Sequence, residues 1–274
     1  MPSVRDLAAG YDGFLIDLWG VVHDGTALYP HARGALQFLA AQKKPVVFLS
    51  NAPRRAAKAQ QNLARLGIDA SLYSAVITSG EVAHAWLASA PHLGTHYYYL
   101  GPSKDEDILD GLAGYSQVAT PAEADFVLNT GYEADFQPHT EILPMLQQLL
   151  QHQLPLLCVN PDLEVVKQDG THMLCAGNVA AEYARMGGMV HYVGKPHKNA
   201  YDAALSHLPE GKILMIGDNP LTDILGANGA GIDSLLIAGG VLHVQHGALS
   251  EAQARELCAQ QSATPTYVMP YFSA

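Results

Sequence analysis

The chain of 274 residues carries 15 Lys plus Arg against 26 Asp plus Glu, a formal charge of −11, and only 15% of its residues are charged while 49% are apolar. A charged share well below the roughly 25% usual in soluble domains, beside an ample apolar share, excludes a disordered chain or a charge-laced solvated rod. The acidic balance without any basic block argues against nucleic acid and anionic membrane surfaces as partners, and no apolar run reaches the ~18 residues of a membrane span.

At about 150 residues per domain the length predicts one or two domains with a large core. The first residues, MPSVRDLAAGYDG, lack a basic region leading into an apolar segment, so no secretory signal is expected. Cys158, Cys175 and Cys258 are odd in number and far apart, which predicts buried thiols in a reducing cytoplasm rather than disulfides.

Apolar runs alternate with amphipathic stretches along the chain, the βαβ rhythm of a parallel sheet covered by helices. Strands are expected at Gly13 to Leu18 and Pro45 to Ser50, with helices at Arg33 to Gln42 and Arg54 to Leu66, the second closed by Gly67. A third unit runs from a strand at Ala75 to Thr78 into a helix from Glu81 to Ala88. The middle repeats the rhythm, with strands at His96 to Leu100, Phe126 to Asn129 and Pro155 to Val159, and helices at Asp105 to Leu112, Glu141 to Gln151 and Asn178 to Met186. The last third is expected to return to the first sheet with strands at Val190 to Val193, Lys212 to Ile216, Ser234 to Ile237 and Thr266 to Met269. Helices between them fall at Ala200 to His207, Thr222 to Ala230 and Ser250 to Ala259.

Four polar strand ends carry the chemistry. In Phe14-Leu15-Ile16-Asp17-Leu18-Trp19-Gly20 an apolar strand ends in a carboxylate, which places Asp17 at the carboxyl edge of a parallel sheet, where such folds bind ligands; a turn-capping acid gives the same pattern. Val46-Val47-Phe48-Leu49-Ser50-Asn51 ends in a hydroxyl and an amide before a helix start, which suits a phosphate oxygen and equally an N-cap. Gly194-Lys195-Pro196 and Gly217-Asp218-Asn219-Pro220-Leu221-Thr222-Asp223 add one cation and two acids at strand ends. Carboxylates meeting at one edge repel unless a cation lies between them, and sparse oxygen ligands suit Mg²⁺. Asp17, Asp218, Asp223 and Lys195 thus outline a site for phosphate and magnesium.

These four motifs, in this order, resemble those of the haloacid dehalogenase superfamily of aspartate-nucleophile hydrolases, in particular its subclass IIA, which includes sugar-phosphate and nitrophenyl-phosphate phosphatases. The resemblance covers nearly the whole chain and rests most on the GDN-x-x-TDI segment preceded by GKP. It implies a doubly wound, Rossmann-like α/β core, residues 1–80 and 189–274, with an inserted α/β cap domain at 81–188. It implies a Mg²⁺-dependent phosphatase of small phosphorylated metabolites, with Asp17 as nucleophile and metal ligand, the carbonyl of Trp19 and Asp218 as further ligands, and Ser50 and Asn51 holding the phosphoryl group. Lys195 would offset the charge of nucleophile and phosphate, and Asp223 would stand near the metal or Lys195. A homodimer is a reasonable expectation on the same grounds. The long interval from Ser50 to Lys195 far exceeds the ~30 residues of one βαβ unit, as an insert requires.

One position departs from that pattern. Phosphatases of the superfamily keep an aspartate two residues after the nucleophile as general acid and base, whereas here the residue is Trp19. An indole has one N–H donor and no titratable group near neutral pH. Three readings stay open: esters with good leaving groups, a substitute such as His23 or Asp24, or a phosphate-binding or otherwise non-phosphatase site. Asn160-Pro161-Asp162, after an expected strand, suits either a turn or a reach to the substrate.

Overall fold

The computed structural model describes residues 3–89, 92–132 and 138–274. Two parallel sheets organise the chain. The first runs β13-β12-β11-β1-β2-β3, from β1 (Gly13–Ile16), β2 (Val46–Ser50), β3 (Ala75–Thr78), β11 (Ile213–Gly217), β12 (Asp233–Ile237) and β13 (Tyr267–Met269). Its strands are buried on both faces because apolar side chains alternate between two helix-covered cores. Phe14, Ile16, Val46 and Phe48 pack on one side, and Leu15, Val47 and Leu49 on the other. The chain builds outward from β1 through β2 to β3, then resumes on the opposite side at β11. The order therefore reverses between β1 and β11, the place where open α/β sheets bind ligands.

The second sheet runs β10-β7-β6-β4-β5, from β4 (His96–Leu100), β5 (Ser116–Val118), β6 (Phe126–Asn129), β7 (Leu156–Cys158) and β10 (Val190–Tyr192). Val127 and Leu156 face one core with the helix Ala176–Arg185, while Phe126, Leu128 and Leu157 face another with the helix Ser79–Ala88. An antiparallel hairpin, β8 (Glu164–Val166) with β9 (His172–Leu174), follows β7.

Most expected elements occur within a few residues of their predicted limits. One strand changes sheets: residues 190–192, expected in the first sheet, pair in parallel with β7 of the second, so the chain re-enters the first layer only after Tyr192. The expected helix at Asp105 to Leu112 is a run of tighter 3₁₀ turns, Ser103–Leu109. The α-helix expected from Thr222 begins at Leu225, after a π-helical turn at Pro220–Ile224. Gly231 ends it with φ 70°, the left-handed stop that glycine takes without strain. All three cysteines are buried and unpaired. No helix among the described residues is long and apolar enough to cross a membrane.

Candidate active site

Register decides which residues meet. Residues 13–16 of β1 pair with 213–216 of β11, and 14–16 also with 46–48 of β2, so three strands end level. Asp17, Ser50 with Asn51, and Asp218 are the first polar groups past those ends. The backbone N–H of Asp17 still donates to the carbonyl of Ile216 at 2.8 Å, which fixes the direction in which its side chain leaves the sheet.

Four charged groups converge there. The Lys195 ammonium donates to Asp17 Oδ1 and to Asp223 Oδ1, both at 2.6 Å. The second oxygen of Asp223 accepts the backbone N–H groups of Asp218 and Asn219 at 3.0 and 3.1 Å, so Asp223 aims the lysine and folds the loop that carries Asp218. Asp218 Oδ2 accepts the Val241 N–H at 2.7 Å. Ligand oxygens of Asp17, Asp218 and Asp223 lie within 4.8 Å of one another, all buried. Glycines make this closeness feasible: a Cβ on Gly20 or Gly240 would run into the Asp218 carboxylate, and one on Gly217 into that of Asp223.

The electrostatic balance is unfavourable as it stands, with three buried acids against one lysine. Burial pushes the Asp17 carboxyl well above the usual carboxylate range, the charges of Asp223 and Asp218 add to this, and Lys195 opposes it. Burial, then the charge of Asp223, pushes Asp218 up to about 8. Burial works against the charge of Lys195, yet Asp17 and Asp223 more than offset it and hold its ammonium above the usual lysine range. A cation among the three acids would relieve their repulsion, and an all-oxygen donor set of so few carboxylates suits Mg²⁺. The residues present fit the ion. The Trp19 carbonyl, expected as a further ligand, accepts no hydrogen bond from the described residues.

The other expected residues divide. Ser50 is buried at the pocket, and its Oγ accepts the Ala52 N–H at 3.2 Å. The Asn51 side chain is committed to the protein: its Nδ2 donates to Asp162 Oδ1 at 3.0 Å and to the Lys195 carbonyl at 3.1 Å. Its Oδ1 accepts from Lys195 N at 2.7 Å and Ser79 Oγ at 3.2 Å. Its amide therefore positions the loop that brings Lys195 in. His23 and Asp24, the candidate substitutes for the missing acid, do not line the pocket. Burial pushes the His23 imidazole down to about 4, and its Nδ1 accepts the Gly25 N–H at 2.9 Å. Asp24 ties its own loop, accepting from Thr26 and Ala27, with Oδ2 accepting the Gln168 N–H of the hairpin at 3.3 Å.

The pocket above Asp17 has two walls. Ends of β1, β2 and β11 supply one, and ends of β4, β6 and β7 supply the other through Pro102, Thr130 and Asn160. Asp162 lines it too, and burial pushes its carboxyl up to about 6. The only sequence signal for this wall was Asn160-Pro161-Asp162: the Asn160 side chain accepts the Asp162 N–H at 3.1 Å within the turn, and both residues line the pocket. Trp19 stands at the pocket, its Nε1 donating to the Val166 carbonyl at 2.8 Å.

Comparison with known proteins finds matches along nearly the whole chain. Residues 14–114 match the family model of haloacid dehalogenase-like hydrolases, and residues 192–274 match a second, HAD-hydrolase-like model. A crystal structure of a haloacid dehalogenase-like hydrolase from Brucella suis 1330 superposes with a TM-score of 0.84 at 32% identity, covering 98% of each chain. Mouse chronophin is 26% identical over 97% of this chain and 92% of its own length. The sugar-phosphatase AraL of Bacillus subtilis is 29% identical over 83% of each.

Proposed function

This chain belongs to the haloacid dehalogenase-like hydrolases, and on that premise we propose that it is a Mg²⁺-dependent phosphatase of small phosphorylated metabolites with Asp17 as nucleophile. The observation that carries the reading is Lys195, held at 2.6 Å from both Asp17 and Asp223 beside Asp218 on the pocket floor. A phosphatase that is 29% identical, AraL, supports the substrate class.

In this reading Asp17 attacks phosphorus through one carboxylate oxygen, and the bond from phosphorus to the ester oxygen breaks in line. Water then attacks the phosphorus of the aspartyl-phosphate, which releases inorganic phosphate and restores Asp17. Lys195 offsets charge on the nucleophile and the phosphoryl oxygens, and Ser50 together with backbone N–H groups after β2 holds those oxygens. Asp223 holds Lys195. Asp17, Asp218 and the Trp19 carbonyl would hold Mg²⁺, which when bound would supply further positive charge to the phosphoryl group. The unit that contains the second sheet and the hairpin acts as a cap that excludes water, in a protein working in the cytoplasm, as a homodimer.

Trp19 sets the kinetic character. Its single N–H is spent on Val166, so position 19 offers no proton to the leaving oxygen and no base to the water. General acid–base catalysis contributes about 10² to 10⁴-fold, and the loss is smallest for leaving groups that depart readily as anions. The test is phosphate release with Mg²⁺ over esters of graded leaving-group pKa, by wild type and Asp17→Asn. Turnover rising steeply as that pKa falls, and lost in Asp17→Asn, supports the reading. Equal rates in both proteins, or no turnover of any ester, overturns it.

A further inference from the structure

The pocket has a distinctly apolar side that the phosphate chemistry does not use. Val165 and Met173 are direct partners in the β8–β9 ladder, so their side chains share one face of the hairpin, and both line the pocket, as do Val166 and Leu174. Glu164 of the same hairpin also lines it, with its carboxylate oxygens engaged by His172 Nδ1 at 3.1 Å and Gln245 Nε2 at 3.4 Å. The indole of Trp19 completes this side, two residues from the nucleophile. Met173 is 37% exposed, so part of its apolar side chain remains accessible at the pocket.

The hairpin is seated from the nucleophile's own loop. Trp19 Nε1 donates to the Val166 carbonyl at 2.8 Å, and Asp24 Oδ2 accepts the Gln168 N–H at 3.3 Å. Both bonds go to hairpin backbone, so they fix where it lies whatever side chains it carries. The ring of Trp19 packs over Gly25, where any side chain would collide with it, and stands edge-on to His23 at 6.3 Å. These contacts hold the indole rigid as part of a wall. The cationic groups of the pocket, Arg54, Lys104 and Lys195, come from other segments; Arg54 is paired with Asp105 at 3.6 Å and Lys195 with Asp17 and Asp223 at 2.6 Å.

We propose that Trp19 is a specificity-determining residue: fixed on Val166, it forms with the hairpin an apolar wall beside Asp17 that selects phosphate esters whose leaving group is apolar over those whose leaving group is a polyol. The proposal rests on the phosphatase reading and adds the class of leaving group. Covering the butyl chain of a substrate against this wall removes several CH₂ groups from water, at about fourfold in affinity for each one fully buried, whereas a polyol must give up hydration of its hydroxyls with no matching gain.

The test separates binding from turnover by using alkylphosphonates, whose unactivated carbon–phosphorus bond has no leaving oxygen and resists hydrolysis. Butylphosphonate, 2,3-dihydroxypropylphosphonate and inorganic phosphate are titrated calorimetrically with Mg²⁺ into wild type, Trp19→Asn and Met173→Gln. Wild type is expected to bind butylphosphonate about tenfold or more tightly than the dihydroxypropyl compound. Met173→Gln, close in size and on a partly exposed strand, should reduce the preference several-fold with phosphate affinity retained, and Trp19→Asn should bring the ratio of the two phosphonate affinities within about twofold. Equal binding of the two phosphonates by wild type overturns the proposal and leaves the phosphatase reading standing, as does a preference that survives in both variants. Binding of none of the three overturns both.

Discussion

Replacing Asp218 by Asn is predicted to stabilise the metal-free protein while removing its affinity for Mg²⁺. Burial, then the charge of Asp223, pushes the Asp218 carboxyl up to about 8 in the folded chain, whereas it titrates near ~3.9 when unfolded. An acid raised in this way binds more protons folded than unfolded, so the metal-free protein loses stability as pH climbs through that window. At neutral pH the gap is about three units, and at about 1.4 kcal/mol each it amounts to ~4 kcal/mol. Asp17 and Asp223 share the repulsion, so about 2 to 4 kcal/mol is expected from relieving one member. The amide keeps an oxygen to accept the Val241 N–H, now bonded at 2.7 Å, so little offsets the gain. Thermal unfolding in a chelator at about pH 5, 7 and 8 is the assay. For a chain of this size the variant should melt higher by roughly 5 to 10 °C at neutral pH, with the difference shrinking towards pH 5. Saturating Mg²⁺ should stabilise wild type, by about 2.7 kcal/mol at a hundred times its Kd, and leave the variant unmoved. A variant no more stable than wild type at about pH 8 in chelator, or equal stabilisation of both by Mg²⁺, would refute the reasoning.

Two further perturbations probe the same centre. Gly20 has φ 84°, and a Cβ there would strike the Asp218 carboxylate, so Gly20→Ala should cost about 1 to 3 kcal/mol in urea unfolding and abolish turnover; an active, fully stable variant would show that the loop is not tightly closed on Asp218. Lys195→Met leaves Asp17 and Asp223 without their shared cation, now 2.6 Å from each. It should cost about 3 to 5 kcal/mol at neutral pH without metal, less at acid pH because the Asp17 carboxyl, raised by burial, takes up a proton, and a pH-independent loss would speak against charge as the cause.

The sheet strands were legible because burial on both faces demands unbroken apolar runs, as in Phe14-Leu15-Ile16 and Val46-Val47-Phe48. The polar residues at their ends were legible for the same reason, since the carboxyl edge is the first place a charged side chain fits. The hairpin was not. Glu164–Val166 and His172–Leu174 are three residues each and partly exposed, too short for any period to register. The sheet membership of Val190–Tyr192 was equally hidden, because a short apolar strand reads alike beside β7 or β11. The engagement of Asn51 with Asp162 and of Trp19 with Val166 joins residues 111 and 147 apart in the chain, and no local pattern encodes such pairings. In the sequence Trp19 shows only as a missing acid, because the carbonyl that its indole meets is brought to it by the fold.

The central claim is that Asp17 takes the phosphoryl group. Wild type mixed with Mg²⁺ and a phosphate ester of an acidic alcohol, then quenched in acid within milliseconds, should yield by mass spectrometry a chain one phosphoryl group heavier. The added group should map to the peptide containing Asp17, be labile to hydroxylamine as an acyl phosphate is, and accumulate because no side chain at position 19 activates water. Phosphate release by an enzyme whose Asp17 peptide never carries the group, or an identical adduct in Asp17→Asn, would contradict the account.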